Sequence, residues 1–142
     1  TRVRSSAASD VYKRQVYGGG MRQAGVFAAA GLVALNEMVD RLVEDHVAAR
    51  RLAEGLAEIR GVGIDPASVR TNIVICRITS DACTARELPN KLKEHGVLIG
   101  YNGGDRVRFV THYGISTADI DRTLQAVRRV VEAAVSAPFA RN

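Results

Sequence analysis

A chain of 142 residues, 46% of them hydrophobic, is the size of one domain and carries enough apolar material for a core. Its formal charge of +5 divides unevenly: residues 1–15 hold four basic side chains against one acidic, a net of +3, and the other 127 residues hold sixteen against fourteen, a net of +2. With no concentrated basic face and no interleaved aromatics, binding to nucleic acid is disfavoured.

Residues 1–15 mix Arg, Ser, Ala and Lys without a period and lack the apolar centre of a secretory signal, so they read as a disordered or non-native leader. The string from Ser5 to Gln15 has the look of a translated sequencing-adapter remnant. Gly18-Gly19-Gly20 then runs directly into an alanine-rich helical pattern, with Arg22 at the junction. The free N–H groups of a helix start, beside an arginine, make an anion contact; the same residues also read as a flexible entry to a buried helix. Met21, Ala24, Ala28, Leu32 and Leu35 recur at helical spacing among small residues, which predicts a deeply packed helix. The apolar part, residues 24–35, is too short to cross a bilayer, which takes about 20 residues.

A second stripe follows in Val39, Leu42, His46, Ala49, Ala53 and Leu56, ended by Gly61 and Gly63. A single helix over the whole stretch would be too long for a globular domain, so a bend or break is expected near residues 36–40. Residues 73–78 form a short apolar run rich in β-branched side chains, a central strand covered on at least one face. Thr84-Ala85-Arg86-Glu87 has the form of a capping box, and Pro89 leaves two starts open for the next helix, Thr84 or Pro89. That helix is expected to end near His95-Gly96, with His95 as a C-terminal cap. An edge strand over residues 97–99 and a hairpin loop over 101–105 lead into a strand over 106–111. There Val107, Phe109 and Thr111 face one way, and Arg106, Arg108 and Val110 the other. Ser116 starts the last helix, with Ile120, Leu124, Val127, Val131 and Ala134 on one stripe. The order predicts an α/β chain of α+β type: a small, mostly antiparallel sheet with helices on one face, preceded by a long linking helix.

The glycine triplet with Met21-Arg22-Gln23-Ala24-Gly25, then Leu42-Val43-Glu44-Asp45-His46, Arg51 to Leu56, Thr71-Asn72-Ile73-Val74 and Val107-Arg108-Phe109-Val110-Thr111-His112, resembles the C-terminal part of low-specificity threonine aldolases. The likeness runs over residues 16–132 in one order. It implies a pyridoxal-phosphate (PLP) lyase of fold type I that cleaves threonine to glycine and acetaldehyde in the cytoplasm. It also implies that this chain is a fragment of a homo-oligomeric enzyme whose large domain lies upstream. Residues 16–60 would be a linking helix region and residues 61–137 the small domain.

By that resemblance Arg108 binds the α-carboxylate of the amino-acid substrate, and Arg22 lies near the cofactor phosphate. His112 falls in the motif and either orients Arg108, lines the pocket or packs. The family's Schiff-base lysine, its carboxylate partner and its ring-stacking histidine have no counterpart here: Lys91 and Lys93 fall on a surface helix and Lys13 in the leader. The chain alone is therefore expected to be inactive. His46 reads as a core or interface residue on its stripe. The three histidines are dispersed, which gives no zinc spacing. Cys76 and Cys83 stand apart without a paired motif, so a reducing compartment is expected. Two other classes stay open: a free-standing α/β ligand-binding or regulatory domain, and a nucleic-acid module resting on the basic leader.

Overall fold

The computed structural model describes residues 10–13, 16 and 22–133. The glycine triplet, most of the expected leader and residues 134–142 lie outside the described residues. The chain divides into two compact units, residues 1–40 and 41–142.

In the first unit, helix α1 (Gly25–Val33) passes into a π-helical turn (Ala34–Met38). The expected break near residues 36–40 is therefore present, made by a widened turn and the residues after it. The expected deep packing is not: α1 buries none of its residues, and Val26, Phe27, Leu32 and Leu35 are 60–72% exposed. Its apolar stripe reflects a surface made for burial, which the described residues do not cover.

The second unit holds the core. Helix α2 (Leu42–Ala57) is followed by β1 (Val62–Gly63), a 3₁₀ turn (Pro66–Ser68), β2 (Ile73–Ile78), α3 (Leu88–Lys93), β3 (Gly100–Tyr101), β4 (Arg106–Val110) and α4 (Thr117–Glu132). The four strands form one antiparallel sheet in the order β1-β2-β4-β3. Strand β2 is central, as its apolar run predicts, and alternates between an exposed and a buried face. Val74, Cys76 and Ile78, with Val107 and Phe109 of β4, meet Leu52 and Leu56 of α2, Leu88 and Leu92 of α3, and Val127 and Val131 of α4 in one cluster. All helices of this unit thus lie against one sheet face, and the other face is open.

Local sequence accounts for the ends. The Thr84 amide donates to Glu87 Oε2 at 3.0 Å and the Glu87 amide to Thr84 Oγ1 at 3.3 Å, so the capping box is real. The regular helix nevertheless starts at Leu88, with Pro89 in its first turn, where a missing N–H costs nothing. At its other end Gly96 takes φ +74°. The amides of Gly96 and Val97 reach back to the Lys93 and Leu92 carbonyls, a Schellman closure. The cap is therefore the glycine backbone, and His95 is exposed. Ser116 and Asp119 exchange the reciprocal bonds of a second capping box at the start of α4. Within α2, Gly55 leaves room that the Leu124 methyls fill, which lets α2 and α4 close on each other.

Two strands differ from expectation. The edge strand is Gly100–Tyr101, not residues 97–99, and Leu98 is 79% exposed. Strand β1 was not expected, because two residues next to glycine give no alternation to detect. His46 is exposed and not part of the core; along α2, burial begins only at Ala49.

Candidate functional site

The open face of the sheet is built from every second residue of β2 and β4. Cross-strand pairing places Ile73 opposite Val110, Ile75 opposite Arg108, and Arg77 opposite Arg106; on the far side Gly100 of β3 is opposite Arg108. Three arginines thus share a face with three aliphatic side chains that are 43–46% exposed.

The three arginines are not equivalent. Arg77 Nη2 pairs with Asp105 Oδ2 at 2.7 Å and its Nε donates to the same oxygen at 2.8 Å. The hydrogen bond from Arg77, aided by the more distant charge of Arg106, holds the Asp105 carboxyl below the usual aspartate range. This carboxylate lets two like charges stand directly opposite each other across β2 and β4, an arrangement otherwise unfavourable. Arg106 and Arg108 have no such partner: among the described residues neither enters an ion pair or side-chain hydrogen bond, and of the two only Arg108 lies opposite a glycine. Its guanidinium lies over β3, with Nη2 and Nε 3.8 and 3.9 Å from where a Cβ on Gly100 would sit. A planar cation that is unspent, exposed and carried on a sheet strand is a two-pronged donor for a carboxylate.

The strand that carries Arg108 is pinned just beyond its end. The Thr111 amide donates to the Asn72 carbonyl at 2.9 Å, and Asn72 Nδ2 donates to the Thr111 carbonyl at 2.8 Å. Thr111, 2% exposed, sends its hydroxyl to the Asp45 carbonyl of α2 at 2.8 Å. Asn72 and Thr111 belong to the motifs that resemble the aldolases, and this bracing role had no signal in the sequence beyond their place there. His112 is exposed and does not orient Arg108: its Nδ1 bonds the Tyr113 carbonyl at 2.8 Å, and since a carbonyl only accepts, Nδ1 carries the proton. Arg22 is exposed and belongs to the first unit, whereas Arg108 belongs to the second.

On the helix side a cavity of about 230 Å³ is lined by His95, Phe109, Thr111, Asp119 and Arg122, among others, and Arg108 is not in its wall. Its charged residues are already engaged, Arg122 Nη2 with Asp119 Oδ1 at 2.8 Å. Both thiols are buried, and burial pushes the Cys76 thiol up to about 12, so it is no nucleophile. Among the described residues no group of histidines, cysteines and carboxylates is placed to hold a metal, and no helix is long and apolar enough to cross a membrane.

Low-specificity L-threonine aldolase 1 of Arabidopsis thaliana is 39% identical over 119 residues, 83% of this chain and 33% of its own length. Low specificity L-threonine aldolase of Escherichia coli is 41% identical over 103 residues, 72% of this chain and 29% of its own length. The chain thus spans about a third of the length of the curated relatives it matches. A mutant of M. tuberculosis Rv3290C superposes with a TM-score of 0.55 at 27% identity, over 72% of this chain and 23% of that one. MppP soaked with the product 2-ketoarginine superposes with a TM-score of 0.54 at 19% identity, over 70% of this chain and 30% of that one, and speaks to the fold alone. The family model for beta-eliminating lyases matches residues 6–80, more than half of the chain. The chain belongs to the beta-eliminating lyase family.

Proposed function

We propose that this chain forms the substrate-carboxylate side of a PLP-dependent threonine aldolase, an enzyme that cleaves L-threonine or L-allo-threonine to glycine and acetaldehyde. Arg108 is the residue that binds the α-carboxylate, and Arg22 is a contact for the cofactor phosphate. The observation that carries this reading is the unspent guanidinium of Arg108 on the open sheet face, inside a stretch similar to threonine aldolases at 39–42% identity.

The described residues do not by themselves fit PLP. That cofactor needs a lysine amine beside its aldehyde, whereas Lys91 Nζ donates to the Ala82 carbonyl at 3.3 Å and Lys93 is exposed at the end of a surface helix. In this reading the lysine and the ring contacts come from a larger domain and a homo-oligomer around it, and this chain contributes orientation. A carboxylate gripped at two points by Arg108 loses its rotational freedom, which is the contribution of a positioning group to rate.

The reading is tested by exchanging the stretch of the Escherichia coli aldolase that this chain matches for the residues of this chain. The hybrid should retain PLP and release acetaldehyde from L-threonine, and the 142-residue chain with added PLP should not. A hybrid that holds PLP but leaves threonine intact, or an active isolated chain, contradicts it.

A further inference from the structure

Gly100 is a glycine that its backbone does not require. Its φ is not positive, unlike that of Gly96, Gly103 and Gly104, and it sits in a paired strand, where glycine packs nothing and is ordinarily disfavoured. In a strand such a glycine marks a place where something must come close. Here that is the side chain opposite. Arg108 is its cross-strand partner, and the Arg108 Nη2 and Nε lie 3.8 and 3.9 Å from the position of the absent Cβ, with the Arg108 carbonyl oxygen also at 3.8 Å.

We propose that Gly100 is a positioning residue: the space that side-chain atoms beyond a Cβ would take at this position is the seat in which the Arg108 guanidinium lies across the edge strand. The proposal rests on the reading of Arg108 as a carboxylate-binding residue and adds what aims it. Among the described residues no ion pair or side-chain hydrogen bond sets the direction of Arg108. Ile75, on the opposite neighbour strand, offers only aliphatic surface, and a guanidinium turned that way would cover Ile75 instead of keeping its free edge over β3.

The distances grade the substitutions. An alanine Cβ at 3.8 Å makes an ordinary contact and leaves the seat usable. The methyls of valine reach about 1.5 Å beyond Cβ and enter the space of the guanidinium. Valine also suits an edge strand better than glycine, so a merely structural role predicts that Gly100→Val is neutral or stabilising.

The experiment uses the full 142-residue chain, labelled with ¹⁵N, as wild type, Gly100→Ala and Gly100→Val. It reads the thermal midpoint, the proton contact between Arg108 Nε–H and the backbone of residue 100, and the shift of the Arg108 Nε resonance on titration with acetate. The expected result is that Gly100→Ala keeps the contact and an acetate response within about twofold of wild type, while Gly100→Val folds at least as well, loses the contact and responds at least about threefold less. A Gly100→Val chain with an unchanged contact and acetate response overturns the proposal, as does equal loss in both variants. A wild-type chain that shows the contact but no acetate response supports the seat and counts against the carboxylate role of Arg108, which keeps the two failures distinguishable.

Discussion

At the scale of single residues, the open face of the sheet separates Arg77, which is paired with Asp105, from Arg106 and Arg108, which enter no ion pair among the described residues. Period-two alternation was enough to place Arg108 outside the core, because residues 107, 109 and 111 carry the apolar side. What it could not give was the partner: that Asp105 neutralises Arg77 and leaves Arg108 alone depends on a pairing between residues 28 apart. Gly100 was equally hidden, since a glycine before Tyr101-Asn102-Gly103 reads as loop until the register opposite Arg108 is known. Thr111 shows the same limit. Its hydroxyl serves a carbonyl 66 residues away, so its burial looks from sequence like an end-of-strand position and nothing more. Replacing it by valine keeps the shape and removes the donor, while the Asp45 carbonyl keeps its bond within α2. Thr111→Val should lower the unfolding free energy by about 0.5–1.5 kcal/mol in urea titration. An unchanged midpoint would mean that the bond does not brace β4 against α2.

At the scale of elements, caps and periods were legible and very short strands were not. The capping box at Thr84, the helix start at Ser116 and the central strand are local patterns, and the structure contains each, whereas the cap after α3 is the Gly96 backbone and not the expected His95. Strands β1 and β3, two residues each, are defined only by their neighbours, so one was missed and the other displaced. The cap at α4 carries a pH dependence. Hydrogen bonds from the Ser116 side chain and amide hold the Asp119 carboxyl below its ordinary value of 3.8, with Arg122 adding to the effect. A carboxyl whose folded pKa is depressed contributes stability that is fully present above the unfolded value and lost as pH falls through the folded one. The wild type should therefore lose stability on acidification below about pH 4 partly through this cap, and Asp119→Asn should flatten that part of the profile. Midpoints measured from neutral to acid pH check it; parallel profiles for the two proteins would assign the acid loss elsewhere.

At the scale of the whole molecule, the second unit has a complete core, and no described residue of the first is buried. A helix with Val26, Phe27, Leu32 and Leu35 on its surface and nothing buried is more apolar than a single exposed helix needs to be. The open sheet face, with Ile73, Ile75 and Val110 around Arg108, is likewise unfinished. Both surfaces are uncovered among the described residues of a chain that spans about a third of the length of its aldolase relatives. The decisive measurement is the steady-state kinetics of L-threonine cleavage by the aldolase hybrid carrying this chain, with Arg108 and with Arg108→Lys. A lysine keeps the charge but not the two-pronged grip, so kcat/KM should fall about 10- to 100-fold while folding and PLP content are retained. Equal kcat/KM for the two proteins would contradict the assignment of the substrate carboxylate to Arg108.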